Sequence, residues 1–560
     1  MTTVKRALVQ TLLDCGATTA FTLPGLGVTW MLDEFFARKD EFRLVLTRSE
    51  QIASVMAQVY GKLTGRPGIL MGQGPWISTT GGFGILEAYF CGSPMVVLTE
   101  TSCYDGFGQY GVYQAMTGDY GAADVRTVLR TMTKFVTYAT EPEEAVYGLQ
   151  LAYKHASLPR QGPAAVVLKT PIIRREIPES PRARLYPTAG YLSSVPARPD
   201  PEAVATCAQW LAAARAPIIV AGNGVQNERG RAMLARVAER AGIAVATSYN
   251  GKGAIDETSP PSVGMLGTWG CQAANASLAA ADFVLVLGAS LGPDYTGFRN
   301  PQWLRPGDQR IVQVDVDARN AGWVVPVDLA VSADAADMLE ALDAHGLGAD
   351  RRAERLEGIS LRNATSGYGV LPATQAVPGT MHYSDVVRAL DRFLTRDDML
   401  TLDAGTNRIW VTNALRVRTP GQLVVPGGIG GMGWGLPAAA AAKLVHPGKN
   451  VVSLIGDGGM AMTMAALTTC VQQNLPITVV VANNDGLGMV RDNQKGRVVA
   501  SDFAHVDFAR VAEGMGCRGV RVDYRGALLD AMIEARGETR PTVIDVAIDP
   551  TASHVPASNY

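Results

Sequence analysis

Two short stretches of this chain combine residue types and spacing that could do chemistry, and both sit where an apolar run ends. In "VVSLIGDGGMAMTMAALTTC" (451–470) a strand-like run delivers Asp457 between glycines and then turns helical. In "NLPITVVVANNDGLGMV" (474–490) the next apolar run stops at Asn483, Asn484 and Asp485, again before glycine. Strand, helix and strand in this order predict a right-handed crossover, which brings both tips to the carboxyl edge of one parallel sheet. Neighbouring strands lie about 4.8 Å apart, so a carboxylate oxygen of Asp457 and the amide oxygen of Asn484 could reach one ion. Both are hard oxygen donors of the kind Mg²⁺ and Ca²⁺ prefer. Gly458 and Gly459 would open the helix, where free N–H groups and the positive dipole end favour an anion and missing side chains admit it closely. An acid between glycines is by itself an ordinary turn. Paired with the amide tip, it reads as a cation site beside an anion cradle, and so as a site for a diphosphate.

The elements that must position these tips extend along the whole chain. At 560 residues the polypeptide exceeds one hydrophobic core. Strand-like runs alternate with helical ones almost throughout, which predicts parallel sheets covered by helices. The proline-bearing stretch from Arg175 to Pro201 and the polar stretch that runs to Pro378 read as connectors. The expected architecture is α/β, with three doubly wound parallel-sheet domains at 1–175, 195–345 and 370–560, the first and third able to share a topology. With 50 basic and 52 acidic residues the net charge is -2, which gives no electrostatic reason to expect nucleic acid or an anionic membrane as partner. No apolar run reaches the roughly 20 residues of a spanning helix, and Gln10, Asp14 and Cys15 break the start as a signal peptide. Seven cysteines without CxxC spacing suit buried thiols in a cytosolic protein.

"GDGG" followed by "NN" at this separation resembles the diphosphate and magnesium motif of thiamine diphosphate enzymes of the acetolactate synthase, pyruvate decarboxylase and benzaldehyde lyase group. "FTLPGLG" and "LTRSEQIASVMAQVYGKLTGRPGI" are similar to that group's pyrimidine-binding domain, and "LDAGTNRIW" and "PGGIGGMGWGLPAAAAA" to its diphosphate domain. The resemblance implies thiamine diphosphate with Mg²⁺ held by Asp457, Asn484 and the Gly486 carbonyl. It implies a cofactor lined by Pro24, Gly25, Gly405, Thr406, Asn407, Gly456, Gly458, Gly459, Leu487, Gly488 and Met489, with Met432 as the wedge that bends it. The Gly430 carbonyl would accept from the 4'-amino group. Glu50 would bond the pyrimidine N1' and promote the imino tautomer, a role that apolar surroundings would favour; a glutamate in a first helical turn, capped by Ser49, is otherwise ordinary. Gln114, in "GVYQAMTGDY", would stand near the reacting centre. Since the family joins first and third domains across subunits, a homodimer or homotetramer with interfacial sites is implied.

Substrate choice is where this chain departs from the group. "MGQGPWISTTGG" stands where GPGATN is usual, and Arg48-Ser49 where Arg-His is usual. None of the six histidines lies between Phe21 and Tyr120. "AGNGV" and "LGASLG" are similar to turns where relatives bind FAD or a nucleotide, and equally to turns that only pack a helix on a strand, so FAD is left open. The expectation is a lyase or carboligase acting on 2-oxo acids or 2-hydroxy ketones. The alternatives are a non-ligating 2-oxo acid decarboxylase and a catalytically silent, cofactor-binding regulatory subunit.

Overall fold

The computed structural model describes residues 2–101, 116–118, 123–180, 183–195, 197–371 and 373–554. Three six-stranded, all-parallel sheets carry the chain. The first comprises β1 (Thr19–Leu23), β2 (Arg43–Leu46), β3 (Gly68–Gly72), β4 (Met95–Glu100), β5 (Phe135–Ala139) and β6 (Pro163–Leu168), in the order β2-β1-β3-β4-β6-β5. The second comprises β7 (Pro217–Ala221), β8 (Ala244–Thr247), β9 (Ser262–Met265), β10 (Phe283–Leu287), β11 (Arg310–Asp315) and β12 (Leu329–Ser332), in the order β12-β11-β10-β7-β8-β9. The third comprises β13 (Met399–Leu402), β14 (Leu423–Val424), β15 (Val451–Gly456), β16 (Thr478–Asn483), β17 (Arg518–Val522) and β18 (Thr542–Ala547). Its order, β14-β13-β15-β16-β18-β17, repeats that of the first sheet strand for strand. Central strands such as β4, β7 and β16 are buried at every position, as sheets covered on both faces require.

The contacts divide the chain into two compact units. One is Met1–Val195 with Pro426–Gly448 and Thr463–Pro476; the other is Pro196–Val425 with Lys449–Met462 and Ile477–Tyr560. In the first unit, helices Val4–Asp14 and Pro142–Ser157 supply Leu8, Leu12, Ala145 and Leu149 to the core on one face of the sheet. Helix Glu50–Thr64 packs on helix Gly82–Cys91 and on helix Gly435–Val445 from the third block. Small residues permit this closeness. Ala438 to Ala442 are fully buried, and a Cβ on Gly84 would lie 2.3 Å from the Ser54 backbone carbon. Part of the third block thus belongs to the first block's compact unit, a division that hydrophobic periodicity does not mark.

The second unit joins the middle and third sheets. Between them lies a buried Lys252–Glu257 pair at 2.7 Å whose carboxylate also accepts the Val417 N–H at 2.9 Å. The polar stretch expected as a connector contains a helix, Arg352–Thr365. Its reason is Arg355, 3% exposed, whose guanidinium donates to the carbonyls of Leu211 (2.9 Å), Ala214 (2.8 Å), Ala241 (2.9 Å) and Leu347 (3.0 Å). The carbonyls of Leu211, Ala214 and Ala241 lie at or beside the ends of helices Pro201–Ala213 and Glu228–Ala241, where orphaned acceptors gather and a cation is favoured. Among the described residues no helix is long and apolar enough to cross a membrane.

Candidate active site

Parallel pairing of β15 with β16 sets Gly456 opposite Ala482, so Asp457 emerges beside Asn483 and Asn484 on one sheet edge. Asp457 is 5% exposed. Its Oδ1 accepts the Gly458 N–H at 2.8 Å and its Oδ2 the Gly486 N–H at 2.9 Å, which ties the two tips together. Burial pushes its pKa up to about 6; the Asp485 charge adds to that rise, while the two backbone amides and Arg491 oppose it. A carboxylate held at such cost has a strong incentive to meet a cation.

The loop after β16 is held from behind by Arg491, which donates to the carbonyls of Asn484 (2.9 Å) and Asp485 (2.5 Å) and pairs with Asp502. Gly486 is required here, because a Cβ would sit 2.4 Å from the Arg491 guanidinium and 2.4 Å from the Ser501 carbonyl. Arg491 was not among the residues expected from the sequence. An arginine one turn after a glycine-rich tip carries no signal until the loop is seen to fold back.

Polar groups without partners gather at the same edge. Asn484 is 3% exposed, and its Nδ2 makes no hydrogen bond; the Nδ2 of buried Asn407 makes none either. A Cβ on Gly488 would fall 2.8 Å from Thr406 Oγ1 and 3.0 Å from Asn484 Nδ2. Thr406 begins helix Thr406–Ala414 behind Gly405, whose φ of +108° only glycine adopts readily. Around Gly456 there is room, since a Cβ there would meet nothing within 4 Å. The donors of Gly405–Asn407 and the tips carrying Asp457 and Asn484 therefore converge in one unit. Leu487 and Met489 flank Gly488 there, both half-buried. Buried amides normally find partners. Their lack of one fits an absent anionic ligand, and the oxygen donors beside them fit a hard cation. Among the described residues no three His, Cys, Asp or Glu side chains gather, so a metal here depends on amide and carbonyl oxygens alongside the one acid.

The first unit holds the remaining expected residues. Glu50 opens helix Glu50–Thr64, half-buried, with Ser49 Oγ accepting the Ile52 N–H at 3.2 Å. Pro24 and Gly25 follow β1, and a Cβ on Gly25 would meet Gln73 Oε1 at 2.4 Å. Gly430 takes a left-handed φ of +63°, and Met432 is half-buried. Gln114 lies outside the described residues, as do Cys103 and Tyr104. Two of the six histidines have structural duties, His382 Nδ1 accepting the Ser384 N–H at 3.1 Å at a helix start and His155 stacking on Phe135, while exposed His505 lies 2.9 Å from Asp485 at the strand tip. In the middle sheet the two glycine turns press on each other, with a Cβ on Gly222 only 2.1 Å from the Gly288 carbonyl oxygen, as packing turns do.

Three family patterns match the chain in order. They are described as thiamine pyrophosphate enzyme, N-terminal TPP binding domain (residues 2–122), central domain (204–342) and C-terminal TPP binding domain (403–546). The chain is 28% identical over 558 residues to the mitochondrial acetolactate synthase catalytic subunit of Saccharomyces cerevisiae, covering 95% of this chain and 78% of that protein. It is 26% identical to a putative thiamine pyrophosphate-containing protein, YdaP, of Bacillus subtilis, covering 98% and 92%. A probable acetolactate synthase large subunit of Methanocaldococcus jannaschii is likewise 26% identical, covering 97% and 91%.

Proposed function

Because this chain belongs to the thiamine pyrophosphate enzyme family, we propose that it is an acetolactate synthase-like lyase or carboligase that uses thiamine diphosphate and Mg²⁺ on 2-oxo acids or 2-hydroxy ketones. The observation that carries the reading is the pairing of Asp457 with the unpartnered amide of Asn484 on adjacent strand tips. When bound, the cofactor supplies an electron sink for bonds next to a carbonyl. The chain's own residues bind and orient it. Asp457, Asn484 and the Gly486 carbonyl would hold the metal; Gly405, Thr406, Asn407, Gly458 and Gly459 would take the diphosphate. Met432 would set the cofactor's bend, the Gly430 carbonyl would accept from its aminopyrimidine, and Glu50 would hold the proton at N1'. Gln114, outside the described residues, is the residue we assign to the reacting carbonyl.

In this reading the blocks 1–175, 195–345 and 370–560 are the pyrimidine, middle and diphosphate domains, and two copies complete each site in a homodimer or homotetramer. We place the protein in the cytoplasm; its six described cysteines are all buried free thiols, which suits a reducing compartment. Incubation with Mg²⁺, thiamine diphosphate and pyruvate, with and without an acceptor aldehyde, tests the reaction class. Acyloin product supports ligation, and free aldehyde alone favours a simple decarboxylase. Glu50→Gln should lower turnover at least about a hundred-fold; unchanged activity would leave the silent regulatory subunit as the better reading.

A further inference from the structure

A buried acid outside the expected site governs the loop that carries Gly430. Glu87, on helix Gly82–Cys91, is 0% exposed. Its Oε1 accepts the Gly428 N–H at 2.7 Å and its Oε2 the Ile429 N–H at 2.8 Å. The Gly427 N–H faces the sulfur of Cys91, which itself donates to Glu87 Oε1 at 3.0 Å. Burial pushes the Cys91 thiol up to about 12, so it stays a donor at neutral pH. Three consecutive amides of one loop thus rest on one helical turn. A Cβ on Gly428 would fall 2.8 Å from the Glu87 carbonyl oxygen, and one on Gly431 would fall 2.2 Å from the Phe83 ring, so the backbone lies directly on the helix. Beyond the loop, Trp434 Nε1 donates to Gln58 Oε1 at 3.0 Å, and Gln58 Nε2 to Ser93 Oγ at 2.9 Å. Gly430 and Met432 stand between these two pins.

Burying a carboxyl is expensive, and a neutral cap could satisfy a single amide at lower cost. What an acid adds is two acceptor oxygens in one plane, which fix the orientation of two successive peptides. We propose that Glu87 is a positioning residue that aims the Gly430 carbonyl at the bound ligand, resting on the reading above that this carbonyl accepts from the cofactor's aminopyrimidine. A glutamine can satisfy one of the two amides but turns its own N–H₂ toward the other. Glu87→Gln should therefore loosen residues 427–430 and misalign the carbonyl while leaving the metal and diphosphate grip intact.

The test uses the full-length protein, wild type and E87Q, with three readouts. Hydrogen exchange on the cofactor-free protein should show the 427–430 amides protected in the wild type and exchanging at least about tenfold faster in E87Q, with 435–445 unchanged. Titration calorimetry with Mg²⁺ and thiamine diphosphate should give a Kd within about threefold of wild type, whereas kcat falls about ten- to a hundred-fold, with an altered near-ultraviolet dichroism of the bound cofactor. Unchanged exchange at 427–430 overturns the proposal, and so does loosened exchange with undiminished kcat. Should E87Q fail to fold, G428A, whose Cβ presses on the Glu87 carbonyl and displaces the same amide, is judged by the same outcomes. A wild type that binds no thiamine diphosphate would sink the cofactor reading instead, and exchange alone would then decide whether Glu87 holds the loop.

Discussion

The first and third sheets share one strand order, and at corresponding tips they carry nearly the same punctuation. After β3 the chain reads Gly72-Gln73-Gly74-Pro75; after β15 it reads Gly456-Asp457-Gly458-Gly459. The first tip is closed. Gln73 lies against Gly25, a Cβ on Gly74 would sit 1.9 Å from the Glu100 carbonyl oxygen, and Pro75 has no N–H to offer. The third tip is open, with a buried acid, room at Gly456 and unpartnered amides nearby. Glycines at a strand end permit close approach in both places. What is allowed to approach depends on the residue between them and on the donors that follow, so the same frame builds a packed end in one sheet and a ligand edge in the other.

That contrast can be broken most directly at its acid. Asp457→Ala removes the one charged oxygen donor and should weaken Mg²⁺ and thiamine diphosphate binding by about a hundred-fold or more in titration calorimetry; wild-type affinity would place the ion elsewhere. The acid's raised pKa sharpens the contrast. Because its folded value of about 6 lies above the ordinary 3.8, protonation stabilises the metal-free fold, and that contribution is lost as the pH rises through 6. A divalent ion then compensates the buried charge, so the rise in Tm on adding Mg²⁺ and cofactor should be larger at pH 7 than at pH 5, with affinity dropping up to about tenfold per unit below 6. An equal shift at both values would argue that Asp457 is not the ligand.

Gly488→Ala tests the room rather than the charge. Its Cβ would press within 2.8 Å of Thr406 Oγ1 and 3.0 Å of Asn484 Nδ2, so cofactor affinity should fall about tenfold, with a cost of about 1–3 kcal/mol in the stability of the metal-free protein. The smallest effect is expected at the closed tip. Gln73→Asp copies the acid into the first sheet without its donors, and equilibrium dialysis should still find one Mg²⁺ per chain. A second bound ion would mean that the acid alone suffices.

Much of this was legible before the structure. Apolar runs ending in acid or amide located the Asp457 and Asn484 tips, because a parallel sheet puts every strand end after a crossover on one edge. The three sheets followed from the alternation of runs; that the first and third could share a topology was open in the sequence, and the strand order they share is read from the pairing of the strands. Long-range polar contacts were not legible. Glu87 meets an amide 341 residues away, and Arg355 reaches carbonyls up to 144 residues away, so neither leaves a local pattern. The departure of Pro426–Gly448 from the third block has the same cause: an alanine-rich helix shows no periodicity that names its neighbour. Trp76, half-exposed on the short helix after β3, remains the residue whose size most separates this chain from the GPGATN pattern.

Arg355 has a practical corollary for anyone who would splice a reporter into this enzyme. The stretch between the middle and third blocks looks like free leash, yet its first part is bolted by a guanidinium to two helix ends, and an insertion within 352–365 would pull that bolt. A few residues on, Val370 is 70% exposed. A fluorescent or affinity module grafted there would leave the bolt seated, which makes it the preferred port for labelling the working protein.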